Sequence, residues 1–484
     1  MCYTDDSLLS TGIEGLDEVL KGGLIPGRFY LLRGGPGTGK TTLGLHFLSA
    51  GIKNSQQSLL VSMTEPVKKI IQNGDKFGFD LEQIDFIDLN PGAEFIGDNK
   101  DYDVFPASEI EQKPIINKLI KTIKEKKPER IFFDGITQLK YLASDKFNFR
   151  KQILSFMKFL EDYKTTLLLT SEVGPSNSDD DLQFLVDGII NLKYENEDYS
   201  LEISKFRGSN FKKGKHSLKF RARGIEIYSR LNVSYHKLDH TDIQISSGIP
   251  EIDQLLHGGI EKGTTTTITG PSGVGKTTLG AQFIKAASSK GNRSIIYTFE
   301  EGEQTLIKRS KSINIDLEKS IAHNNLMIKK INPLEYTTNE FSYKVRQEIE
   351  KNNVSMVMLD SITGYFLAFS SFERQKMLKR LHALCEYLKH KNVTVIMINE
   401  MENITGDFRA TDYGTSYLAD NIIFLRYLEI KGRLNKAIGV LKKRMSSFEN
   451  TMREFDIESS GIKVGEPLEQ LRGVLSGNPE ILED

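Results

Sequence analysis

The feature that most constrains this chain is that it contains one unit twice. The stretch STGIEGLDEVLKGGLIPGRFYLLRGGPGTGKTTLGLHFLSAG, beginning at Ser10, returns as SSGIPEIDQLLHGGIEKGTTTTITGPSGVGKTTLGAQFIKAA, beginning at Ser246. Gly12 pairs with Gly248, Asp17 with Asp253 and Lys40 with Lys276, always at an offset of 236 and without a gap over about forty residues. A register that long means duplication, and a duplicated unit is a folding unit. Two domains are expected, 1–235 and 236–484, meeting near the polar stretch Asn232 to Thr241.

Within each copy, short apolar runs alternate with helix-period segments. FYLLRG, SLLVSM, RIFFDG, TTLLLT and IINLKY read as strands in the first copy, and TTTTITG, SIIYTF, VSMVMLD, VTVIMIN and NIIFLRY in the second. Between the first set, Thr41 to Gly51, Val67 to Phe77, Ile115 to Lys127 and Arg150 to Tyr163 read as helices. Strands apolar on both faces and separated by helices need cover on both sides, so the fold class is α/β with mostly parallel sheets.

Composition excludes several alternatives. A hydrophobic fraction of 38% and a net charge of −1 do not suit global disorder, and the near-neutral balance supplies no general field for nucleic acid or anionic membrane. The two cysteines cannot build a disulfide framework, nothing resembles a secretory leader, and no apolar run reaches the length of a membrane span. A reducing, cytoplasmic setting is expected. The eight histidines show no zinc pattern, and no nucleophile elbow of the Ser-His-Asp hydrolases is present.

The pattern G-x-x-x-x-G-K-[ST] occurs in both copies, each time after a strand and at the opening of a helix. In the first copy it comprises Gly34, Gly35, Gly37, Thr38, Gly39, Lys40, Thr41 and Thr42; in the second, Gly270, Ser272, Gly273, Val274, Gly275, Lys276, Thr277 and Thr278. Glycines let successive N–H groups converge on phosphate oxygens, and the helix N-terminus adds positive potential. Lys40 and Lys276 are expected to reach the β and γ phosphates of ATP, with the hydroxyls of Thr41 and Thr277 on Mg²⁺. Asp134 and Asp360 each end an apolar run and are the expected acidic partners of that ion. A carboxylate must also position the nucleophile. The second copy offers Glu300 and Glu301 in YTFEEGEQ; the first has VSMTEPVKKII, with Glu65 alone and Thr64 in the other position.

These residues resemble the RecA-like ATPases, and the tandem arrangement resembles the KaiC family of circadian clock proteins. The likeness runs over nearly the whole chain. It rests on the entry motif TGIEGLDEVLKGGLIPG and its counterpart, the two P-loops, FEE in the second copy, the late segments KFRGSNFKKGKHSLKF and VLKKRMSSFENTMREF, and the terminal LRGVLSGNPE. The resemblance implies a homohexamer of two stacked rings with ATP between neighbouring subunits. It also implies that a K-x-R pair reaches the neighbour's nucleotide: Lys205 and Arg207 in the first ring, Lys442 and Arg444 in the second. Autophosphorylation in the second domain is implied too, with Ser416 and Tyr417 at the phosphoacceptor positions and Glu300 as base, supported by Glu301. Tyr417 departs from the family's threonine and also reads as a packing aromatic. The chain stops soon after LSGNPE, so a KaiA-type activator is not expected, while a KaiB-like partner stays open.

The alternative is a nucleic-acid motor or recombinase on the same fold. Its support is the stretch Lys205 to Arg223, with eight Lys/Arg interleaved by Phe206, Phe211 and Phe220. A third expectation concerns the first copy, which, short of one carboxylate, mainly supports assembly while the second performs phosphoryl transfer.

Overall fold

The computed structural model describes residues 8–90, 109–142, 145–172, 179–231, 242–332, 335–368, 374–401, 415–430, 432–472 and 480–481. The whole of Asn232 to Thr241, Thr411 and most of LRGVLSGNPE lie outside these. The chain divides into two compact units, Met1–Arg230 and Leu231–Asp484.

In the first unit nine strands follow in chain order: β1 (Phe29–Gly34), β2 (Ser58–Ser62), β3 (Asp85–Asp88), β4 (Arg130–Asp134), β5 (Thr166–Glu172), β6 (Gly188–Glu195), β7 (Asp198–Phe206), β8 (His216–Arg221) and β9 (Gly224–Tyr228). They form one sheet in the order β3-β2-β4-β5-β1-β6-β7-β8-β9. The run from β3 to β6 is parallel, and β7 to β9 return antiparallel. In the second unit a two-strand pair, β10 (Gln244–Ile245) with β11 (Ile260–Glu261), precedes the sheet. Its strands are β12 (Thr265–Gly270), β13 (Ser294–Thr298), β14 (Leu326–Lys330), β15 (Met356–Asp360), β16 (Thr394–Glu400), β17 (Asn421–Ile430), β18 (Arg433–Lys443), β19 (Arg453–Glu458) and β20 (Gly461–Pro467). The order β14-β13-β15-β16-β12-β17-β18-β19-β20 repeats the first.

Strand alternation explains why both faces are covered. Tyr30, Leu32, Leu60, Phe132 and Leu168 point into one core with the helix Lys40–Lys53, whereas Phe29, Leu31, Val61, Phe133 and Leu169 point into another with the helix Lys146–Glu161. The second unit divides the same way: Ile268, Ile296, Met358 and Ile398 face one core, and Tyr297, Leu359, Val395 and Met397 the other. Gly44 lets the helix after the P-loop sit close on β4, since a Cβ there would stand 2.2 Å from the Phe132 ring.

The entry motif has a structural explanation. Asp17 accepts hydrogen bonds from Ser10 Oγ (2.6 Å), Thr11 N (2.8 Å) and Thr11 Oγ1 (2.6 Å). Asp253 does the same with Ser246 and Ser247. The carboxylate ties off the turn that begins each unit. Among the described residues no helix is long and apolar enough to cross a membrane. Cys385 is buried, and burial pushes its thiol up to about 12.

Candidate functional site: two P-loop clefts

Both P-loops leave the carboxyl end of a strand at the middle of a parallel sheet, where ligands of α/β folds bind. Gly39 (φ 96°) and Gly275 (φ 117°) cap the following helices in the left-handed region. A side chain at Gly39 would meet Phe220 and Ile225 within 2.9 Å, so this glycine answers both conformation and space. Thr38 Oγ1 closes the first loop onto Gly35 O at 2.8 Å; Val274, at the same place in the second, is buried in the core. Ser272 O accepts from the Tyr427 hydroxyl at 3.3 Å, and Thr278 is buried.

Lys40 Nζ donates to Gly34 O (2.9 Å) and Gly35 O (2.8 Å), and Lys276 Nζ to Pro271 O (2.7 Å). Burial holds both ammonium groups below their ordinary value; the carboxylates Glu172 and Asp134 oppose this at Lys40, and Glu400, Asp360 and Glu300 at Lys276. Thr41 Oγ1 donates to Asp134 Oδ2 at 2.7 Å, and Thr277 Oγ1 to Asp360 Oδ1 at 3.0 Å. Asp134 also accepts from Thr170 Oγ1 at 2.7 Å. Each pairing sets a hydroxyl beside a carboxylate, hard oxygen donors that suit Mg²⁺. Among the described residues no cluster of three or more His, Cys, Asp or Glu could hold a metal, so such an ion would complete its shell from phosphate and water. Pro36, Gly37 and Gly39 to Thr42, with Thr64, Asp134, Gly135, Thr170, Glu172 and Phe220, line a cleft of about 360 Å³ in the first unit.

Burial lifts the Asp360 carboxyl from 3.8 to about 6, against the hydrogen bond from Thr277. A carboxyl whose folded-state pKa is raised stabilises the fold while protonated. That contribution is complete below about 3.8 and is lost as pH rises through about 6. Asp360→Asn keeps the shape and removes the charge. It is expected to raise the Tm of nucleotide-free protein at about pH 8, with a gain that shrinks toward about pH 4. Thermal melts across that range check this; a lowered Tm at the alkaline end contradicts it.

The clefts differ beside the acidic residue. In the second unit Ser361 Oγ donates to Glu300 Oε1 at 2.6 Å and so aims that carboxylate toward the end of β15. In the first unit Gly135 stands where Ser361 does, and Thr64 where Glu300 does, with the Thr64 methyl 2.4 Å from the place of a Gly135 Cβ. The carboxylate and the hydroxyl that holds it are therefore absent together. Glu65 and Glu301 occupy equivalent turns, tied through Ser62 and Thr298. Glu65 pairs with Lys69 at 3.2 Å and is not among the cleft-lining residues; Glu301 accepts from Arg309 Nη2 at 2.8 Å.

The K-x-R residues take matching places in the two sheets. Lys205 opposes Ile189 and Lys442 opposes Ile422. Within the chain their ammonium groups bond to backbone: Lys205 to Gln183 O (2.7 Å), Lys442 to Ser416 O (3.1 Å) and Ala419 O (2.6 Å). Arg207 and Arg444 are exposed, the latter 3.5 Å from Asp420. Ser416 is half-buried in a single 3₁₀ turn, Thr415–Tyr417, and Tyr417 is 50% exposed with its ring beside His382. The aromatics of the basic stretch are engaged: Phe206 is buried and stacked on Tyr30, Phe211 packs on the core, and Phe220 walls the cleft. Lys212 pairs with Glu18 and Lys215 with Glu195.

Sequence reasoning missed Glu172 and Glu400, the last residues of β5 and β16. Each lies beside the last P-loop strand residue, Gly34 or Gly270, in parallel register. The same residue type after two equivalent runs was the available signal.

The KaiC-type ATPase family model matches residues 9–232 and 245–469. The chain belongs to the KaiC ATPase family. Within it, the chain is 28% identical to the circadian clock oscillator protein KaiC of Parasynechococcus marenigrum over 481 residues, covering 97% of this chain and 93% of that protein. It is 27% identical to KaiC of Synechococcus elongatus, covering 97% and 91%, and 26% identical to the circadian clock protein KaiC3 of Synechocystis, covering 97% and 94%. Membership of this ATPase family implies ATP binding.

Proposed function

We propose that the chain is an ATP-hydrolysing double ring, a homohexamer, whose second domain also phosphorylates itself on Ser416. The observation that carries this reading is the exchange of Glu300 and Ser361 for Thr64 and Gly135 between two otherwise equivalent clefts. Phosphoryl transfer needs a positioned carboxylate near the γ-phosphate. In the second cleft Glu300 is held in place by a hydrogen bond, and the first cleft has Thr64 at that position. The first domain accordingly serves assembly, with slow turnover, and the second performs the faster chemistry. Lys40 and Lys276 hold the β and γ phosphates, the loop N–H groups the remaining oxygens, and Thr41 with Asp134 and Thr277 with Asp360 hold Mg²⁺. That ion, when bound, neutralises charge building on the phosphate oxygens.

The ring reading draws support from surface groups. Arg207 and Arg444 are exposed cations that a neighbour's nucleotide would use, and Phe147, Phe184 and Leu434 are exposed by two-thirds or more, as residues awaiting an interface are. The output is a phosphorylation state read by partner proteins in clock-type or other signalling. The motor alternative is not favoured, because Phe206 is buried against Tyr30, Phe211 packs on the core and Phe220 walls the nucleotide cleft instead of forming a separate stacking surface. Native mass measurement with and without ATP tests the assembly: a hexamer is expected with nucleotide, and a monomer at saturating ATP overturns it.

A further inference from the structure

The first cleft is not without a carboxylate. Two line it, and one of them, Asp134, is 3% exposed with its oxygens taken by the Thr41 and Thr170 hydroxyls. The other is Glu172, exposed at the end of β5. Strand order brings it close to the phosphate loop: β5 adjoins β1 directly, whereas β2, which leads to Glu65, is separated from β1 by β4 and β5. Its neighbour across the register is Gly34, and Lys40 feels its charge more than that of Asp134.

We propose that Glu172, rather than Glu65, is the carboxylate that orients and deprotonates the attacking water in the first domain. The inference rests on the reading above that this cleft binds ATP, and it assigns the route of the slow turnover there. The water oxygen forms a bond to the γ-phosphorus while the bond from phosphorus to the β–γ bridging oxygen breaks, its electron pair leaving on ADP. The proton shed by the water passes to the Glu172 carboxylate and from there to the departing inorganic phosphate. Lys40, which lines the same cleft as Glu172 and bonds to the carbonyls of Gly34 and Gly35, holds the γ-phosphate. The second cleft retains the equivalent Glu400 as well as Glu300, so the duplicated units differ by the loss of one of two carboxylates rather than of the sole one.

The test uses the full chain carrying Glu300→Gln, so that phosphate release reports mainly the first domain, with protein-bound nucleotide measured in parallel. Adding Glu172→Gln is expected to lower the remaining kcat by about 10²-fold while ATP is held as tightly or more tightly, since the cleft loses a negative charge. Adding Glu172→Asp instead should restore part of the rate. Undiminished turnover in Glu172→Gln overturns the proposal. So does a collapse in Glu65→Gln that equals or exceeds it, a raised KM with unchanged kcat, or a Glu300→Gln parent with no turnover at all. If the unmodified chain retains no ATP, the reading of the cleft itself fails; if ATP is retained and Glu172→Gln turns over normally, this assignment alone fails.

Discussion

Glu300→Gln in an otherwise unmodified chain is expected to reduce ATP turnover by about 10²–10⁴-fold while ATP stays bound. The amide has the size of the carboxylate and can still accept the Ser361 hydroxyl, so the turn and the cleft survive. What is lost is the capacity to take a proton from the nucleophile. Glu65→Gln should cost far less, because that side chain is paired with Lys69 and does not line the first cleft. Phosphate release from both variants settles the division of labour: an unchanged rate in the first with a collapse in the second reverses it.

Ser416→Ala is expected to abolish transfer of labelled phosphate from ATP to the protein, and Tyr417→Phe to leave it in place. Ser416 lies in a short turn whose carbonyl oxygen is held by Lys442, near the end of β18 and two residues before Arg444. Any contact that strand makes with a neighbouring nucleotide therefore brings the serine with it. In the transfer proposed above, Ser416 Oγ would bond to the γ-phosphorus as the bond to the bridging oxygen breaks and ADP leaves, with the hydroxyl proton passing to the neighbour's Glu300. The phenol of Tyr417 lies farther from its backbone and is half-exposed beside His382, an arrangement suited to interface packing. The first unit holds Gln183 and Phe184 at the same place under Lys205, without a hydroxyl on either. Peptide mapping after incubation with labelled ATP checks the assignment, and label retained in Ser416→Ala removes it.

Much of the fold was legible because its signals are local. FYLLRG spans β1 as the structure has it, and the P-loops announce a strand before them and a helix after them. The strand ends were not legible. TTLLLT stops at Thr170, but β5 continues through Ser171 and Glu172, and VTVIMIN stops one residue before Glu400. Polar residues at a strand's carboxyl end carry no apolar signal, yet in a parallel sheet they are the ones that meet the ligand. The edge strands β3 and β14 were missed for a related reason: each carries a short, partly polar run paired on one side. Gly135 and Ser361 gave no cue at all, since their meaning depends on what stands across from them.

The sequence alone determined that there are two α/β units, that each carries a glycine-rich loop with a lysine and a threonine at the opening of a helix, and that an aspartate ends a buried strand beside it. These follow from spacing along the chain, where conformation and chemistry are set by near neighbours. The tertiary structure decided which carboxylates face each cleft. It drew Glu172 beside the phosphate loop by placing β5 against β1, turned Glu65 toward Lys69, and fastened Glu300 to Ser361. Those pairings join residues far apart in the chain, and only the order of strands in the sheet brings them within reach.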